Sequence, residues 1–334
     1  AIAYLETSDV TQSGGILVVP QGKFVTGPLT IGATLQGRVS LLGSGAQSWL
    51  KLADNSDAYL LTVVNGLVHI DMMRLDGNRA NQASGGVLTF NNTNNFCSIK
   101  RSRISGGKDY GMVLTGGDQW SIDNVQFMEN GIGLSSTNCL SVHCFGGTTF
   151  EDNDTKGLEL LGTASQMSVA VDSCYFENNG EDGLATEAWH IDCSAFQDHS
   201  RLSVQNTLFA GAASSAVQWG IRFNGGNAEG LDGVRVNNNI FESCDLGAYD
   251  FDLTTANTGH NDLRGNLYDG TTPTPTRTFG FMLDESYPFH VYSPEFDLSG
   301  TLDTQPLLAS PDSTLIRVSQ VSIHYTEALS LIHI

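Results

Sequence analysis

The sequence predicts an all-β chain wound as a right-handed parallel β-helix, a solenoid of stacked coils with a short C-terminal β segment. Three observations predict it. One apolar position returns at a regular interval, a short alternating strand stands on each side of it, and Asn or Gly falls at the bends between.

The apolar position is Leu75, Ile104, Phe127, Phe150, Phe176, Phe209, Phe241 and Tyr268, spaced 23–33 residues apart. A propeller blade needs four strands in ~40–45 residues, and a leucine-rich repeat needs a Leu-rich consensus. The unit is too short for the first and lacks the second. Upstream of each anchor an alternating strand opens on Ser98-Ile99, Ser121-Ile122, Ser141-Val142, Ser168-Val169 and Ser203-Val204. Period-two alternation over so few residues reads as strand, not helix. Three residues after the anchors come Asn78, Gly107, Asn130, Asn153, Asn179, Ala212 and Cys244. Asn tolerates left-handed backbone and bonds to nearby main chain, and stacked Asn amides form ladders. A second strand then starts at a Gly, as in Gly86-Val87, Gly111-Met112, Gly131-Ile132, Gly157-Leu158, Gly183-Leu184 and Gly220-Ile221. Gly is expected there to supply positive φ for the bend. No single coil buries its apolar face, so the aromatic anchors must pile up inside the stack.

Residues 1–60 form the first coils and the β-helix continues to residue 270. Thr271-Thr-Pro-Thr-Pro-Thr276 breaks the composition and reads as a linker. The rest of 271–328 is a last coil, a cap or an oligomerising segment. The final six residues, 329–334, resemble the translation of a sequencing adapter, which would make the chain a metagenomic fragment and place them outside the fold.

The 334 residues carry 16 Lys and Arg against 36 Asp and Glu, a net charge of −20. That field repels phosphate backbones, so no nucleic-acid partner is expected. No run is long and apolar enough for membrane insertion. The six Cys form no CxxC pair and read as small buried hydrophobes.

Gly14-Gly15-Ile-Leu-Val-Val-Pro20-Gln-Gly22-Lys-Phe24, Val39-Ser-Leu-Leu-Gly-Ser-Gly45, Leu50-Lys-Leu52 and Leu75-Asp-Gly-Asn-Arg-Ala-Asn-Gln82 resemble the first coils of the pectate-lyase-like superfamily. The resemblance covers about residues 1–270. It implies the pectin-lyase fold and a polysaccharide partner, while the superfamily spans lyases, hydrolases, epimerases and phage tailspikes. The Asn-Thr-Asp, paired-Asp, His-Gly and Arg-x-Lys set of polygalacturonases is not present. Neither is the Asp-Pro-His motif of alginate epimerases, nor the Asp and Arg pattern of pectate lyases. No family catalytic set can therefore be carried over.

Candidate chemistry is read from outward positions. The residues after the anchors are Glu151, Glu177 and Glu242, and strand spacing would put Glu151 about 5 Å from Glu177, near the separation in retaining glycosidases. Glu151, Glu177, Glu181 and Asp182 form the candidate catalytic set. The same cluster would also suit Ca²⁺, although no cofactor is required, and a solvated acidic surface is the simpler reading. Outward positions of the second strand, Glu159, Arg222 and Tyr249, together with Trp219, form a candidate substrate-binding set. A ring beside an Arg suits an acidic sugar, unless Trp219 only covers a loop. His190 and Arg201 join that set from the presumed 185–202 insertion, with packing as the alternative for His190. No spacing matches a metal motif. The leading expectation is a polysaccharide-binding and polysaccharide-cleaving protein of phage tailspike type at a virion surface or outside the cell, assembled as a homotrimer. A secreted polysaccharide lyase or glycoside hydrolase and a non-catalytic surface adhesin are the alternatives.

Overall fold

The computed structural model describes residues 15–32, 38–64, 66–91, 96–162, 168–180, 188–195, 201–211, 218–225, 234–242, 244, 247–253 and 261–269, with short strands between 281 and 325. Every strand pairs in parallel with the strand three elements further on, giving three sheets of 12, 12 and 11 strands. The first sheet starts at Gly15–Val18, the second at Gly22–Thr26 and the third at Leu29–Ile31. One 3₁₀ turn, Arg79–Asn81, is the helical element among the described residues. The strands beyond residue 280 join the same sheets as further turns, as when Leu263 pairs with Val291 and Val291 with Val318. The 271–276 linker and residues 329–334 lie outside the described residues.

The anchors fall in register along the second sheet. Leu75 pairs with Ile104, Ile104 with Phe127, and the series continues to Tyr268. Phe127, Phe150, Phe176, Phe209 and Phe241 stack inside it with ring centroids 5.0, 4.6, 5.0 and 4.6 Å apart and planes within 17°. Each ring is at most 1% exposed. Burying a Phe contributes about 1.5–3 kcal/mol, and an aromatic pair adds ~0.5–1.5 kcal/mol. The six Cys are free and buried, as their composition suggested. Burial raises the Cys97 and Cys139 thiols to about 11 and the Cys174 thiol to about 12, so all three are unreactive thiols at neutral pH.

Beside the rings runs the Asn ladder. Asn130 Nδ2 donates to Asn153 Oδ1 at 3.1 Å, and Asn153 Nδ2 to Asn179 Oδ1 at 2.7 Å. The same nitrogens donate to the carbonyls of Ile104 and Phe127, so these buried amides meet their needs coil to coil. A second ladder stands at the corner between the first and second sheets, where Asn239 donates to Asn266 at 3.1 Å. In most coils that corner is one left-handed residue, such as Asn124, Asn206 or Asn238 at φ 54°, 53° and 56°, while Gly146 and Gly147 share it in one coil. The next position points inward and accepts from the neighbouring coil, as Thr148 Oγ1 does from Val125 N and Asn239 Oδ1 from Thr207 N.

The glycines of the third sheet correct the sequence reading. They do not supply positive φ. At the bend from the second sheet that role falls to Glu129, Asp152 and Asn178. The glycines are needed because coils approach too closely for a side chain: a Cβ on Gly133 would stand 2.5 Å from the Gly157 carbonyl oxygen. Three alignments also shift by two residues. Ser121 pairs with His143, not Ser141, Ser168 pairs with Arg201, not Ser203, and Met112 pairs with Leu134, which aligns Gly111 with Gly133, not Gly131. A slip of two keeps every side chain on its own face, so periodicity alone could not detect it.

The presumed insertion at 185–202 is largely the strand Ala188–Ala195. Lys156 pairs with Trp189, so His190 occupies the column held by Gly111, Gly133, Gly157 and Gly220. It is fully buried between Phe176 and Phe209, and its Nδ1 accepts from Asn179 Nδ2 at 3.0 Å, ending the ladder. A residue inside the core cannot face a substrate groove, which removes His190 from the substrate-binding set. Burial lowers its pKa to about 3. Unfolded His titrates near 6.5, so between pH 6.5 and about 3 the unfolded chain binds a proton that the folded chain refuses. His190 therefore contributes full stability above pH 6.5 and loses about 1.4 kcal/mol per pH unit below it. Unfolding free energies at pH 7 and pH 4 should differ more in the wild type than in His190→Gln, and equal differences would contradict the assignment.

Candidate functional site

The third sheet carries the site. In the strand Lys156–Leu161, Leu158 and Leu160 are fully buried in the core, so Glu159 between them is turned to the outer face. Successive coils place Ser135, Glu159, Asp192 and Arg222 in one register row. A second row holds Ile132, Lys156 and Trp189.

Lys156 joins the rows. Its Nζ lies 2.6 Å from Glu159 Oε1 and 2.6 Å from Asp192 Oδ2, and Ser135 Oγ donates to Glu159 Oε2 at 2.7 Å. Glu159 is 7% exposed and Asp192 1%. Burial opposes the charge on Lys156, but Asp192 and Glu159 outweigh it and raise its pKa. The Arg222 guanidinium lies 4.4 Å from the centroid of the Trp189 ring. Two phenols stand at the same sheet. Burial, then the charges of Glu159 and Asp109, raise the Tyr110 pKa. Burial, then Tyr110 and Asp109, raise Tyr59 to about 12, so both remain hydrogen-bond donors.

The sequence-predicted residues divide among four places. Glu159 and Arg222 belong to this face. Trp219 lies in its register, opposite Trp189. Tyr249 does not share the register of Arg222: it pairs with Ile221, in the column of Leu158 and Ile191, and Asp250 is the residue opposite Arg222. The alignment was one residue off because Gly247, which opens this strand, pairs with Trp219 and not with Gly220. Glu151 and Glu177 do pair as neighbours, but on the second sheet. Beside them, burial and then Glu177, Glu151 and Glu242 raise the pKa of Tyr175. Arg201 opens the strand Arg201–Gln205 of the first sheet and is exposed there, which separates it from the other two groups. Glu181 and Asp182 lie outside the described residues.

Lys156, Trp189 and Asp192 were missed. Gly183-Leu184 imitated the start of the third-sheet strand and hid the true one, in which Trp189 aligns with Trp219. Among the described residues no three His, Cys, Asp or Glu side chains are grouped to hold a metal ion, and no helix is long and apolar enough to cross a membrane.

The arrangement offers an indole face and a guanidinium beside a Lys156–Glu159–Asp192 cluster whose charges are engaged with one another. A ring flanked by convergent polar groups fits a ligand with an apolar face and a rim of hydroxyls.

Comparison with solved structures finds the same architecture. The chain is similar to the A-module of the mannuronan C-5 epimerase AlgE4 of Azotobacter vinelandii, at 14% identity and a TM-score of 0.54, over 94% of this chain and 91% of that one. It is similar to the catalytic unit of the thermostable GH87 α-1,3-glucanase of Streptomyces thermodiastaticus, at 13% identity and a TM-score of 0.57, over 97% of this chain and 64% of that one. At these identities the likeness is one of fold. No curated protein matches the sequence. Residues 85–272, more than half the chain and the span of the aromatic column, match the family described as right handed beta helix region, and the protein belongs to that family.

Proposed function

We propose that the protein grips a polysaccharide of a cell surface or extracellular matrix along the outer face of its third sheet, as a tailspike-type glycan-binding protein. One observation carries this reading: the Lys156–Glu159–Asp192 charge cluster stands beside the Trp189–Arg222 pair on one face of adjacent coils. The two similar solved structures are both named for polysaccharide chemistry. Coils repeat about every 4.8 Å, so a chain of sugars lying along the axis meets the same row of side chains again at each coil.

The cluster favours grip over hydrolysis. Glu159 and Asp192 are both engaged by Lys156 at 2.6 Å, so neither carboxylate stands free beside the ring as a catalyst would. Trp189→Ala is expected to weaken binding to the cognate glycan at least tenfold while leaving the circular dichroism spectrum unchanged. An unchanged affinity across a polysaccharide panel would sink the reading. Sedimentation of the full-length protein tests the tailspike part, which requires a homotrimer.

Cleavage is the second reading, favoured by the register pair Glu151 and Glu177. It requires new reducing ends or unsaturated ends in the same panel, lost in Glu177→Gln.

A further inference from the structure

The outer face of the second sheet bears a strip that the site above does not use. Lys23 pairs with Trp49, Trp49 with Arg74, and Arg74 with Arg103, so four consecutive coils contribute to one row. Lys23 Nζ lies 4.1 Å from the Trp49 ring centroid and the Arg74 guanidinium lies 3.9 Å from it. Lys51, opposite Asp76 in the adjoining row, adds a further cation.

On a chain with 16 basic and 36 acidic residues this concentration is unusual. Some cations elsewhere are closely matched, as Arg79 is with Asp154 and Lys156 with its two carboxylates. Here they are not. Arg74 comes only within 3.9 Å of Asp76, and Arg103 only within 3.8 Å of Glu129. Both distances are too long for hydrogen bonds, and neither Nε has a partner among the described residues. A guanidinium carries five donors in a planar fork that matches a carboxylate or sulfate. Two such forks in adjacent coils also repel one another. Burial and then Arg103 lower the pKa of Arg74. An anion laid across both guanidinium groups would relieve that repulsion, with Trp49 held between Lys23 and Arg74 to keep the cations in one row.

We propose that Lys23, Trp49, Arg74 and Arg103 form a second glycan-docking strip, selective for a polysaccharide whose sugars bear carboxylate or sulfate groups. It is separate from the third-sheet face and stands without it. Nucleic acid fits less well, because four cations within a −20 field are few against the dense charge of a phosphate backbone.

The test uses the intact protein in affinity electrophoresis through gels containing polygalacturonate, dextran sulfate or neutral dextran, with an oligonucleotide competitor. Retardation by polygalacturonate or dextran sulfate is expected, with the stronger of the two identifying the anionic group, and none by dextran. Added salt should weaken it. The pair Arg74→Gln with Arg103→Gln should lower affinity at least tenfold, and Lys23→Gln, at an exposed position, several-fold without risk to folding. Trp189→Ala should leave this binding intact, which separates failure of the strip from failure of the third-sheet site. No retardation by either anionic polymer, equal retardation by dextran, full displacement by the oligonucleotide at equal charge, or an unchanged Lys23→Gln would each overturn the proposal.

Discussion

Phe176→Ala is expected to cost about 3–5 kcal/mol of stability, the range for truncating a buried aromatic. The ring is fully buried and stacks on Phe150 at 4.6 Å and Phe209 at 5.0 Å, with His190 at its edge. Its neighbours sit on strands whose register is fixed by main-chain bonds, so they have little freedom to close the cavity. Equilibrium unfolding in urea should show the loss at pH 7 with little change in slope. A cost under 1 kcal/mol would mean that the column is not the structural axis. Ile104, which holds the anchor position where the aromatic run begins, provides a milder comparison in Ile104→Val, at about 0.5–1.5 kcal/mol.

Lys156→Met has the next largest expected effect. Removing one partner from a buried charge group costs about 3–5 kcal/mol, because the remaining charges are left uncompensated. Here two carboxylates, Glu159 and Asp192, would face each other across adjacent coils without the ammonium that separates them. One would take up a proton, so the variant should regain stability as pH falls below neutral, opposite to the trend expected from His190. The triple replacement Lys156→Met, Glu159→Gln, Asp192→Asn should recover much of the loss while abolishing glycan binding. If Lys156→Met were as stable as the wild type at pH 7, the cluster would not be buried as described.

The architecture was legible because three independent signals shared one period. The anchor column needed only residue type and spacing, and each anchor pairs with the next as aligned. The sites were less legible. Glu159 could be read as outward because it lies between two leucines in a strand with a clear glycine start. Trp189 and Asp192 could not, because their strand has His190 where other coils have glycine, and a false Gly-Leu start lies a few residues upstream. Tyr249 was placed one residue out of step for a similar reason. Glu151 and Glu177 were correctly read as neighbours, since they inherit the register of the rings before them. What the sequence could not convey was which outer face gathers charge. That depends on how Lys156 reaches across two coils, a contact between residues 36 apart that no local pattern records.

The single-residue corner between the first and second sheets has a wider consequence. The inward polar group after its left-handed residue is bonded to neighbouring coils, and from Met72 to Asn266 the corner varies by one residue, the extra Gly147. Larger differences in coil length over that span fall beside the third sheet. The molecule thus has a fixed spine and a variable front: the spine sets the pitch, while the front can gain or lose loops without disturbing it. A surface built this way can change what it recognises in small increments, one coil at a time, with the rest of the stack indifferent to the exchange.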